Sequence, residues 1–290
     1  MHIYLGNHNT IMDADELLKR YAAGERDFRK VNLRGASLIG VDLTQANLRG
    51  ADLSQSNLTG AFLKLVNFRE ANLNQATLQG TDLSAANLIS SNLSQANFSE
   101  ANLINANLRA STLNGANLNR ANLSETILSE AILRDANLNQ AKLIDASLSR
   151  TNLSCATLMG ANLEKANFTN AILLETNLKE ANLSKALLHS ANFTRANLTQ
   201  ANLSRAILNG TNLTQAILIE ANLRGANISW TTLRGANLSK ANLYRAKLCW
   251  SNLTDAILLE TVLLDANMDQ VNLRGATLTG AILPDGLNYE

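Results

Sequence analysis

The chain has 290 residues, with 25 Lys plus Arg against 24 Asp plus Glu and a formal net charge of +1. That balance excludes the strong basic excess expected of a nucleic-acid-binding protein, and an acidic surface equally. Hydrophobic residues make up 46% but aromatics only 4%, and Pro284 is the single proline, so the core has to be aliphatic and the chain is no Pro-rich or disordered polymer.

In chain order, residues 1–11 carry no pattern and are expected to be loosely held. They lack the charged start and apolar stretch of a signal peptide, and no apolar run approaches the ~18 residues of a membrane span. A soluble, cytoplasmic protein is the expectation. Residues 13–23 predict an amphipathic helix. Asp13 suits the N-cap, Glu16 the third position of a capping box, Met12 and Leu17 a hydrophobic staple, and Gly24 follows the last turn. Leu17, Leu18 and Tyr21 would then cover the end of the element that follows.

That element is a repeat. Every fifth residue from Phe28 to Leu283 is apolar: 52 centres, 45 of them Leu and five Phe, with Ile228 and Met268 completing the set and no slip in register. Two residues before each centre sits a small residue, Arg26 excepted; from Val31 to Ala281 these are 36 Ala among 51, the rest Ser, Thr or Val. The residue just before the centre is Asn or Asp in 33 of the 52 units, so the unit reads Ala-Asn-Leu-x-x.

A period of five fits neither ordinary element. On an α-helix it smears the Leu side chains around the axis, and in one straight strand it puts alternate Leu on opposite faces. The chain must therefore turn once per unit, with the small residue and the Leu pointing inward, Asn outward, and the two following residues at the corner. Four quarter turns close a coil of about 20 residues. A 20-residue period is visible independently: eight of the 15 small positions that are not Ala fall in one column, 31, 91, 111, 151, 211, 231, 251 and 271. Stacked outward amides are expected to bond along the rod.

This array resembles the pentapeptide-repeat family. The run from Leu17 to Phe28, Leu-Leu-Lys-Arg-Tyr-Ala-Ala-Gly-Glu-Arg-Asp-Phe, is similar to the start of cyanobacterial members. The resemblance implies an all-β fold: a right-handed quadrilateral parallel β-helix with a short N-terminal capping helix. Residues 1–25 would hold the tail and helix, 26–285 about thirteen coils spanning about 62 Å, and 286–290 a C-terminal tail too short for a lid, leaving the last coil partly open.

Little chemistry stands out. Cys155 and Cys249, nearly five coils or about 23 Å apart, are expected to be free thiols. His2, His8 and His189 are too scattered for a metal or triad, and His189 reads as a solvated corner residue. Glu100, Glu180, Glu220 and Glu260 share a corner column that Arg120 and Lys240 interrupt, as in a self-screening ladder. Lys165, Lys185, Arg205 and Arg245 form a basic column that runs into Asp265 and Asp285, which argues against a nucleic-acid track. No glycine pattern makes a phosphate loop. Neither catalytic residues, nor a cofactor, nor a metal is expected.

The outward surface is more informative. Ten residues in the outward position are large and apolar, and nine of them lie beyond residue 126. Near the C-terminal end Ile217, Ile257, Val262 and Ile282, joined by the corner residues Ile219, Leu259 and Leu264, form a candidate partner surface. Trp230 and Trp250, 20 residues apart at one corner, are further candidate anchors or simply a stacked pair. The expectation is a non-enzymatic scaffold for a protein partner, with a homodimer through the C-terminal end as one form of contact. The resemblance implies regulation of cell differentiation of the heterocyst type, by binding regulatory proteins or peptides. It also implies an alternative, since some family members mimic DNA and bind type II topoisomerases; the near-zero charge counts against that. A purely structural solenoid is the second alternative.

Overall fold

The structure, a computed structural model, describes residues 12–289; residues 1–11, expected to be loosely held, lie outside them. From Asp27 onward every fifth residue makes a parallel bridge to the residue 20 positions later. The series runs unbroken from Asp27–Asn47 to Val262–Ile282. Four bridged residues per 20-residue coil make four sides, so the repeat is a quadrilateral parallel β-helix. Each side is shorter than an ordinary strand, one bridged residue between two corners.

Hydrogen bonding explains the unit. In Ala181–Lys185 the Asn182 N–H donates back to Ala161 O at 2.9 Å, while the Leu183 and Lys185 N–H groups donate forward to Asn202 O and Ser204 O at 2.7 and 3.0 Å. The Ser184 N–H donates to Oδ1 of Asn182 at 3.1 Å, and the Ala186 N–H closes the turn on Leu183 O at 3.1 Å. Every main-chain donor of the unit is satisfied. Asn is therefore favoured before the Leu for a local reason, since its carbonyl oxygen takes the first corner N–H. The same amides also bond along the rod: Asn182 Nδ2 donates to Asn162 Oδ1, and Asn202 and Asn222 repeat the step at 3.2 Å each.

The second corner residue closes the turn at positive φ, between 53 and 66° for every non-glycine corner from Lys30 to Gln270. Inside, the Leu and Ala side chains are fully buried through most of the rod. The hydroxyls that replace Ala are not orphaned. Ser91 Oγ donates to Leu88 O at 2.7 Å, and Thr211 Oγ1 reaches back a coil to Leu188 O at 2.9 Å.

Helix α1 spans Ala14–Ala22. Asp13 caps it by accepting from the Asp15 N–H at 3.4 Å, rather than through the expected reciprocal box with Glu16. Leu17 is buried, Met12, Leu18 and Tyr21 pack partly against the core, and Tyr21 Oη donates to Thr44 O at 2.9 Å, so the helix closes the first coil. At the other end the chain reverses after Pro284, and Asn288 pairs antiparallel with Ile282 along one side of the last coil. Met268, Leu273 and Leu283, all inward positions, are only partly buried there.

Candidate functional site

Four corners run the length of the rod, held in one coil by Glu220, Gly225, Trp230 and Gly235. Because coils stack in register, any residue 20 positions away lies on the same corner. This fixes where the expected surface residues fall.

Ile217 and Ile257 share one side. Ile219 and Leu259 sit at the adjoining Glu220 corner, and Val262 and Ile282 are bridged to one another on the next side. Leu264 follows at the Gly225 corner, close to the Gly286 turn. Ile217, Ile257, Leu259 and Leu264 are exposed; Ile219, Val262 and Ile282 are half-buried. These seven thus wrap the Glu220 corner and the two sides beside it, and reach the Gly225 corner at Leu264. The Trp pair is elsewhere, two corners away and diagonally across the coil from Glu220. Its rings are stacked at 5.2 Å with 5° between planes, and remain 64% and 54% exposed. The nine residues expected as a partner surface therefore form two separate groups.

The Gly225 corner, whose last coil carries Leu264, runs between the Glu220 and Trp230 corners. A groove of about 470 Å³ opens there, lined by Lys185, Arg205, Arg224, Tyr244 and Arg245 among others. Gly225 adds no side chain between the long ones of Arg205 and Arg245 on the same corner, which makes the notch, and a Cβ there would stand 3.8 Å from the Arg205 stem. The Arg224 and Arg245 guanidiniums lie 4.7 and 4.8 Å from the centre of the Tyr244 ring. Lys185 pairs with Glu164 at 3.0 Å and holds that carboxyl below its usual range by the hydrogen bond it donates. Arg245 pairs with Asp265 at 3.2 Å. Among the described residues Arg205 and Arg224 have no carboxylate within salt-bridge distance. The sequence reading found Arg205 and Arg245 in a column but missed Arg224 and Tyr244, which occupy the first corner position of the neighbouring column.

Elsewhere some corner charges are paired between coils. On the Glu220 corner Lys240 lies 3.9 Å from Glu260, and Gln200 Nε2 donates to Glu220 at 2.8 Å. Cys155 and Cys249 are free thiols. Among the described residues no group of His, Cys, Asp and Glu could hold a metal ion, and no helix is long and apolar enough to cross a membrane.

The family model for pentapeptide repeats matches residues 27–64 and, in overlapping segments, residues 67–283. Among solved structures the chain is similar to HetL, a pentapeptide repeat protein involved in heterocyst differentiation regulation from the cyanobacterium Nostoc sp. strain PCC 7120. The identity is 30%, over 96% of this chain and 100% of HetL, with a TM-score of 0.32. A second Nostoc pentapeptide repeat protein is 38% identical over 37% of this chain and 82% of its own, TM-score 0.29. Full-length QnrB1, a plasmid-mediated fluoroquinolone resistance protein, is 17% identical over 68% of this chain and 84% of its own, TM-score 0.21. Comparison with curated proteins found no match.

Proposed function

The chain belongs to the pentapeptide-repeat family, and from that premise we propose that it is a non-enzymatic scaffold that binds a protein partner through its outward corners. The observation that carries this is the exposed apolar cluster around Ile257, Leu259 and Leu264. Exposed apolar side chains occur elsewhere, as at Ile39, Phe62 and Leu65, but here they adjoin one another across neighbouring coils and sides. A contiguous exposed apolar patch is the kind of surface that marks protein contacts. The right-handed sense of the coil and a cytoplasmic location go with this reading.

The similarity to HetL suggests the setting: regulation of cell differentiation in a cyanobacterium, by binding regulatory proteins or peptides. The C-terminal end offers a second copy three sides of unpaired edge, since the N–H groups of Met268, Leu273 and Leu278 have no partner among the described residues. A DNA-mimicking topoisomerase ligand is the weaker reading, because that mimicry needs a run of unpaired acids and the carboxylates here alternate with cations.

The test is affinity capture from cyanobacterial extract with the native chain beside Ile257→Asp combined with Leu264→Asp. Both side chains point outward, so the variant should fold. A partner held by the native chain and lost from the variant is the expected result. An empty native bait would leave the rod with a purely structural role.

A further inference from the structure

The Gly225 corner and the Trp230 corner are neighbours, one side of the coil apart, or about 10 Å. The first carries cations in excess of anions and the second an exposed aromatic pair. We propose that together they form a docking site for an extended acidic segment of a protein partner, with carboxylates held by Arg205, Arg224 and Arg245 and an apolar side chain packed on Trp230. This rests on the scaffold reading above and names the chemistry of what one surface of the scaffold takes.

Three observations carry it. Arg224 and Arg245 both lie against the Tyr244 ring, so two cations share one aromatic platform, with Asp265 as the partner of only one of them. Arg205 is a third cation on this groove and, like Arg224, has no carboxylate within salt-bridge distance among the described residues. A carboxylate entering the Gly225 notch would supply the missing counter-charge and take charge-assisted bonds from planar donors already oriented by the ring. The Trp corner is shaped in the same way. Trp230 uses one face against Trp250, while Gly210, one coil before it, leaves the other face uncovered.

The basic strip is also short. Glu164 bounds it at one end and Asp265 at the other, so a polyanion running along the rod would meet carboxylates within a few coils. A compact acidic segment meets none. An extended peptide rises about 3.3 Å per residue, so its acids and its apolar anchor should be about three residues apart to span the side.

Trp230 and Trp250 are the only tryptophans of the chain, so intrinsic tryptophan emission reports on this site alone. The probes are synthetic Trp-free peptides in which a pair of Glu residues is separated from Phe or Leu by one to four positions, titrated into the full chain. A saturable emission change, strongest near the three-residue spacing and weakened by added salt, is expected. Arg205→Glu with Arg224→Glu, both exposed and so compatible with folding, should weaken it at least about tenfold. Peptides with Gln in place of Glu should bind no better than that variant.

The proposal is overturned if no peptide of the set binds, if charge reversal leaves affinity unchanged, or if oligothymidylate binds more tightly than every peptide. Its failure is separable from that of the scaffold reading. Silent peptides beside a captured partner that needs Ile257 and Leu264 would remove this proposal alone. Binding peptides beside an empty capture would remove the other.

Discussion

Ala110 sits at φ 54°, where the Cβ of an L-residue crowds the backbone at a cost of about 1–2 kcal/mol. Corners of this rod accept that cost repeatedly, and the long polar side chains there offset part of it by bonding from coil to coil. Gln55 Nε2 donates to Gln75 at 3.1 Å, and Gln75 to Gln95 at 2.7 Å. Ala110 has no side chain with which to do so. Ala110→Gly should therefore stabilise the protein by about 0.5–1 kcal/mol, the relieved strain exceeding the added freedom of the unfolded chain. A urea midpoint that fails to rise would show that the corner is not strained.

Helix α1 and the first coil hold three carboxylates below their ordinary range. Glu25 is lowered chiefly by its hydrogen bond from Arg20, Asp27 by that from Arg29, and Asp42 by its bonds from Thr44. A carboxyl with a depressed folded pKa stabilises the fold above its unfolded value, near about 4, and loses that contribution as pH falls through the folded one. Acid should therefore loosen this end first. Amide resonances of α1 are expected to lose dispersion below about pH 4 while those of the central coils persist, and Glu25→Gln should reduce that early step. Simultaneous loss along the rod would assign acid sensitivity to the coils instead.

Over the whole molecule each coil touches only its neighbours, so cooperativity depends on an unbroken lumen. Leu153 is fully buried in the middle of the array, and the nearby hydroxyls of Thr151 and Thr176 already donate to the Leu148 and Leu153 carbonyls, so no free donor is there to pair with a charge. Leu153→Asp should cost more than about 4 kcal/mol and uncouple the two halves. Both tryptophans lie in the C-terminal half, so their emission follows that half alone, whereas far-ultraviolet dichroism averages both. The two urea transitions should coincide in the native chain and separate in the variant. Coincidence in both would mean that stability is not transmitted coil by coil.

Periodicity alone determined the lumen. Leu at every fifth place, Ala two before it and a polar pair after it admit one solution, because inward volume and a turn per unit must be satisfied together at every step. The helix over the first coil was also legible, from Asp13, Leu17 and Gly24. The inward-bonding task of Asn182 was not: its acceptor reaches the Ser184 N–H only once the corner has its shape, and the sequence pointed to the ladder between coils alone. Neighbourhood on the surface was decided by tertiary structure. Trp230 is 11 residues from Ile219 yet two corners away, while Arg205, Arg224 and Arg245, scattered along 41 residues, meet at one groove. Local sterics and hydrogen bonds set the period. Only closure of the fourfold coil, which stacks residues 20 apart, sets which side chains meet.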